Sequence, residues 1–136
     1  MLKAFVDTSV LLRILVKDDE VKRKASENLI KNAKTSGITL YVPPVTILEV
    51  VWVLEKVYKF KKDAIREIVE AILNTPELNC DMDGVFKNAV RDYEEKNIKF
   101  ADAMMGHWGL DKGFSTVFTY DEKDFKRIEG LKVRKP

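Results

Sequence analysis

Short β-branched segments alternate with longer amphipathic ones along this 136-residue chain, and that alternation leaves few folds open. Residues 3–6, 38–42, 115–119 and 131–134 read as strands, with 77–80 a weaker one. Between them lie helical signals. Thr8 or Ser9 caps a helix whose inner face carries Val10, Leu11, Ile14 and Leu15. Asp18 or Asp19 caps a second, with Val21, Ala25, Leu29 and Ala33 inward, and Gly37 stops it. Pro43-Pro44 ends the second strand and starts a third helix. Asp63 and Asp83 cap two more, with Ile65, Ile68, Val69, Ile72 and Leu73 inward on the first and Phe86, Ala89, Val90 and Tyr93 on the second. Residues 101–112 form another, closed at Gly113. Strands joined through helices run parallel. The expected fold is therefore α/β: a single domain over residues 1–136, three-layer α/β/α, with a central, mainly parallel sheet of about five strands.

A hydrophobic share of 46% and a charged share of 34% fit a globular chain and exclude disorder. No apolar run reaches the ~18 residues of a membrane span, and residues 1–10 lack a signal-peptide pattern. Cys80 is alone, so no intrachain disulfide can form and a reducing, cytoplasmic location is expected. One Cys and one His also argue against structural zinc. The net charge of +2 is too small to indicate nucleic-acid binding by itself. The basic clusters at 22–24, at Lys59, Lys61 and Lys62, and at Lys132, Arg134 and Lys135 read as solvated surface.

Glu49 is the residue that asks for chemistry. It lies within Val45-Thr46-Ile47-Leu48-Glu49-Val50-Val51-Trp52-Val53-Leu54, a helix apolar nearly all round and expected to be buried, with Trp52 in the core. A carboxylate there needs a cation, and no Lys or Arg lies within one turn. Asp7, Asp102 and Asp121 stand at predicted strand ends or helix starts, where α/β sheets bind ligands. Each could equally cap a helix. Taken together the four suit Mg2+ or Mn2+, which take oxygen ligands.

Gly106 and Gly109 share a helix face with Asp102 and imply a close approach, by substrate backbone or by a neighbouring helix. Met104, Met105 and Trp108 read as a packing stripe, His107 as packed or exposed rather than catalytic, and Cys80 as an inert core thiol.

Four motifs in order carry a resemblance: Phe5-Val6-Asp7-Thr8-Ser9-Val10-Leu11-Leu12, Ile47-Leu48-Glu49-Val50-Val51-Trp52-Val53-Leu54, Phe100-Ala101-Asp102-Ala103, and Thr119-Tyr120-Asp121 with Asp124-Phe125. Over essentially its whole length the chain resembles the PIN domain, above all the toxins of VapBC toxin–antitoxin pairs. The resemblance implies a Mg2+- or Mn2+-dependent endoribonuclease. Asp7, Glu49, Asp102 and Asp121 would be its catalytic, metal-holding acids, oriented by Thr8 and Thr119. Two residues, Glu122 and Lys123, separate Asp121 from Asp124 where many relatives have one, which favours Asp124 as the start of a short helix over a site role. The expected reaction is metal-assisted phosphodiester hydrolysis, which needs no side-chain base. RNA phosphates also need cations, and Arg13 and Lys17 are the candidates. The resemblance further implies a small antitoxin partner and a homodimer. A non-catalytic module binding RNA or protein through the same acids is the alternative. A haloacid-dehalogenase-like phosphatase would need a second acid where Ser9 stands.

Overall fold

A computed structural model describes residues 1–136. The chain divides into two compact units, residues 1–60 with 71–81 and residues 61–70 with 82–136.

The first unit contains β1 (Leu2–Phe5), α1 (Thr8–Leu15), α2 (Glu20–Asn32), β2 (Ile38–Val42), α3 (Pro44–Lys56) and β3 (Leu78–Cys80). The last residues of α4 (Lys62–Leu73) belong to it as well. Its sheet has the order β1-β2-β3, parallel throughout, with Leu2 opposite Ile38 and Leu40 opposite Leu78. Local chemistry sets the boundaries. Asp19 caps α2 by accepting from the Lys22 N–H at 3.0 Å. Gly37 turns the chain at φ +72°, a conformation that a Cβ would strain. Pro44 opens α3 at a position that needs no N–H donor. The core is formed by Val6, Leu11, Leu40, Val42, Ile47, Val50, Val51 and Leu54, all nearly inaccessible.

The second unit contains most of α4, then α5 (Asp83–Glu95), α6 (Phe100–Asp111), β4 (Thr116–Phe118), α7 (Glu122–Phe125) and β5 (Lys132–Arg134). β4 and β5 pair in parallel. Phe86, Ala89, Val90 and Tyr93 are buried on α5 as their spacing predicts. Gly113 closes α6 at φ +84°.

Several expectations give way. The five strands exist and pair only in parallel, but they form one sheet of three and one of two rather than a single sheet. Alternation of strands and helices dictates parallel direction; it does not say which strands are neighbours. β1 is not a buried strand, since Leu2 and Phe5 are exposed. α2 buries none of its residues, and Val21 is 80% exposed. α3 is buried on one side only: Val45, Glu49, Trp52 and Lys56, at helical spacing, form its exposed stripe. Met105 and Trp108 are likewise exposed. The basic run at 22–24 includes Arg23, which pairs with Glu20 and Glu27 along α2. No helix is long and apolar enough to cross a membrane.

The two α6 glycines separate the readings left open for them. A Cβ on Gly106 would stand 2.5 Å from Cδ1 of the buried Ile128 and 3.5 Å from Leu131, whereas one on Gly109 would meet nothing nearer than Phe114 Cβ at 3.9 Å. Gly106 is small because neighbouring side chains press on α6. Gly106→Val is expected to lose about 1–3 kcal/mol through overpacking. Gly109→Ala should gain up to about 1 kcal/mol from helix propensity. Urea unfolding midpoints check both; equal effects at the two positions would refute the assignment.

Candidate metal-binding acids

Asp7 ends the first β–α connection and is itself the N-cap of α1. Its Oδ1 accepts from the Ser9 hydroxyl at 2.6 Å, the Ser9 N–H at 3.0 Å and the Val10 N–H at 3.4 Å. The capping reading of Asp7 is therefore realised, with Asp7 in place of Thr8 or Ser9. The Ser9 hydroxyl first, then the backbone N–H groups, hold its carboxyl below the usual carboxylate value against a desolvation that opposes them. Asp7 is thus kept ionised and exposed.

Thr8 turns the other way. Its hydroxyl donates to Glu49 Oε2 at 2.8 Å, tying the start of α1 to the middle of α3. Glu49 is exposed, not buried as its apolar neighbours suggest. The Thr8 hydroxyl gives its carboxylate a fixed direction.

The other two acids lie in the second unit. Asp102 is the third residue of α6, and Lys99 holds the N-cap position without a side-chain capping bond. Asp121 occupies the N-cap position of α7, also with no side-chain capping bond. Capping therefore explains neither carboxylate. The Asp121 N–H donates to Thr119 Oγ1 at 2.9 Å, which fixes the turn after β4. Asp124 acts structurally. It is buried, accepts from the Lys99 N–H at 3.0 Å and so anchors the start of α6.

Burial, then the charges of Asp124 and Asp121, push the Asp102 carboxyl above the usual range, with Lys99 opposing. A carboxylate whose folded-state pKa is raised counts against the fold above that pKa and ceases to do so below its ordinary value. Asp102→Asn should therefore raise the melting temperature of the metal-free protein at neutral pH. That gain should vanish as pH falls through the carboxylate range. Thermal unfolding in EDTA across pH reads this out, and a pH-independent gain would count against the charge explanation.

None of the ion pairs in the chain includes Asp7, Glu49, Asp102 or Asp121. The expected four acids are divided between the units, Asp7 with Glu49 in one and Asp102 with Asp121 in the other. In neither unit are three acid, His or Cys side chains gathered closely enough to cage an ion alone. Hydroxyls hold two of these carboxylates, Ser9 that of Asp7 and Thr8 that of Glu49; an all-oxygen donor set is of the kind that hard divalent ions take. Of the two cations expected to meet phosphate, Arg13 is engaged by Asp18 at 3.2 Å, and Lys17 is exposed.

One partnership has no counterpart in the sequence expectations. Asp92, buried on α5, meets His107 Nε2 on α6 at 2.6 Å, with Arg91 and Lys96 nitrogens 3.9 Å from it. The one histidine is a packing residue that links two helices.

The sequence profile of the PIN domain matches residues 4–131. The chain belongs to the PIN domain family. Among relatives of this PIN domain, the VapC ribonuclease of Aquifex aeolicus (strain VF5) is 30% identical over 131 residues, covering 96% of this chain and 95% of that protein. A crystal structure of VapBC2 from Rickettsia felis bound to a DNA fragment from their promoter aligns with 99% of this chain and 98% of that one. It does so at 18% identity with a TM-score of 0.38.

Proposed function

We propose that this PIN domain is a metal-dependent endoribonuclease of the VapC kind, hydrolysing RNA phosphodiester bonds. Asp7, Glu49, Asp102 and Asp121 would hold Mg2+ or Mn2+. The reading is carried by four carboxylates, none of them held in an ion pair, in a chain that the PIN-domain profile matches over residues 4–131. The similarity to the Aquifex VapC ribonuclease over nearly the full length of both chains supports the choice of RNA.

When bound, a divalent ion at such acids acidifies water and offsets charge on the leaving oxygen. The chain's own residues prepare for this. Ser9 and the first N–H groups of α1 keep Asp7 ionised, and Thr8 aims Glu49. Thr119 fixes the turn that carries Asp121, and Asp124 fixes the helix start that carries Asp102. Lys17 is the freer of the two candidate phosphate contacts, because Arg13 is held by Asp18. A small antitoxin, a homodimeric state and a cytoplasmic location belong to the same proposal, the last because the lone Cys80 suits a reducing compartment.

The test is cleavage of total RNA by the purified chain with Mn2+, with Mg2+ and with EDTA. Cutting that needs the metal is expected. Cutting that survives chelation would sink the metal reading. A folded chain that binds RNA with metal present and never cuts it would replace the enzyme with a non-catalytic binding module.

A further inference from the structure

The β4–β5 ribbon has one covered face and one open face. In parallel register Thr116 lies opposite Lys132, Val117 opposite Val133 and Phe118 opposite Arg134. Side chains alternate along a strand, so Val117 and Val133 share the covered side, where both are half-buried. Phe118, Lys132 and Arg134 share the other side and are exposed, Phe118 at 60%. The Arg134 guanidinium carbon lies 5.5 Å from the Phe118 ring centroid, a cation–π distance. The ladder continues one residue beyond β4, where the Thr119 N–H donates to the Arg134 carbonyl at 3.0 Å. Tyr120 follows, two residues after Phe118, and is 83% exposed. Asp121 is the next residue.

Two solvent-facing aromatic rings, Phe118 on β4 and Tyr120 in the turn that follows it, accompany two exposed cations on β5, and neither strand contains an acid. Open rings offer a stacking surface to flat heterocycles, and the cations offer neutralisation to a polyanion. A duplex satisfies only the second requirement, because its bases are already stacked on one another. The ligand that satisfies both is a single strand. A lysine- and arginine-bearing face is also a poor fit for a basic peptide, and an acidic peptide would leave the rings without flat partners.

We propose that the open face of β4–β5 is a stacking platform for single-stranded RNA. Phe118 and Tyr120 each take a base, Arg134 and Lys132 meet phosphates, and the strand runs towards Asp121. The choice of RNA over other single strands rests on the ribonuclease reading; the platform itself rests on the face. It gives a function to the C-terminal basic cluster, which the sequence pattern alone leaves as solvated surface.

Binding and cutting are measured separately. Anisotropy of a labelled, unstructured RNA of about 12 nucleotides, within the usual site size of a single-strand binding fold, is titrated with the full chain in EDTA, beside a duplex RNA of the same length. Wild-type protein should prefer the single strand. Tyr120→Ala should weaken single-strand binding roughly five-fold or more. Arg134→Gln should reduce the slope of log affinity against log salt by about 0.7. Tyr120 is so exposed that its truncation leaves the fold intact, and Phe118→Ala provides a further variant. Wild-type affinity in both Tyr120→Ala and Arg134→Gln, or equal binding of duplex and single strand, would overturn the platform. Binding that falls in these variants while no RNA is ever cut would leave the platform standing and remove the nuclease. Metal-dependent cutting with binding unchanged in the variants would do the reverse.

Discussion

Glu49→Gln and Asp121→Asn will each slow metal-dependent RNA cleavage about a thousand-fold and leave the melting temperature close to that of the parent. The loss follows from the charge removed. A divalent ion supplies several kcal/mol of charge stabilisation, and about 1.36 kcal/mol is tenfold in rate. A carboxylate that helps hold the ion is therefore worth roughly three orders of magnitude. The unchanged stability follows from geometry. Glu49 is exposed and makes one hydrogen bond, from Thr8, which a glutamine oxygen still accepts. Asp121 makes no side-chain capping bond, and its charge is the least of the three causes that push Asp102 up, after burial and Asp124, so its removal relieves little.

Asp7 makes the contrast informative, because its carboxylate also caps α1. Asp7→Asn should lose cleavage while keeping the fold, asparagine being as good a cap. Asp7→Ala should lose cleavage and about 1 kcal/mol of stability as well. Single-turnover cleavage of a labelled RNA with Mn2+, beside thermal unfolding, measures all of these. Cleavage within tenfold of wild type in Glu49→Gln or Asp121→Asn would remove that residue from the site.

The boundaries of the elements are legible in the sequence because special residues mark them. Gly37 and Gly113 sit at positive φ, Pro44 at a first helical position, and Asp19 at an N-cap. The faces are less legible. Periodicity states that Val21, Ala25 and Leu29 share a side of α2, but only the tertiary neighbours decide whether that side is covered, and here it is not. Trp52 reads as core for the same reason and is 60% exposed.

The rule that a buried acid needs a partner is sound, but it applies to a different residue. Glu49 is exposed, whereas Asp92 lies among the buried residues Ala89, Val90 and Tyr93 of α5 and is met by His107. An acid beside the apolar stripe of an amphipathic helix, in a chain with one histidine, is the signal that points to that pair. The candidate acids rest on the order of motifs in the sequence, which is what proposes them. Asp124 is the instructive member of that set: its extra spacing from Asp121 accompanies a structural role, holding the start of α6.

The same helix start carries the second large effect. Phe100 is the first residue of α6 and is 4% exposed. Its ring lies parallel to Phe86, centroids 6.2 Å apart, and edge-on to Tyr93 at 5.8 Å, while Lys62 Nζ sits 3.9 Å over the Tyr93 ring. Phe100→Ala should lose about 3–5 kcal/mol, the usual range for a buried ring truncated to a methyl, with Phe100→Leu losing less. Urea midpoints report the loss.

The functional consequence is separate: Asp102 is two residues further on, so its place depends on where α6 begins, and on the proposed reading that place matters to the rate. A shift of about 1 Å in a catalytic group can cost about a hundredfold in rate. Phe100→Ala should therefore cut slowly even at temperatures where it is fully folded, and Asp124→Ala, which removes the other anchor, should behave similarly. A Phe100→Ala protein as stable as the parent would show that the ring cluster does not hold α6. A destabilised one that cuts at full rate when folded would show that Asp102 is placed by something other than the start of its helix.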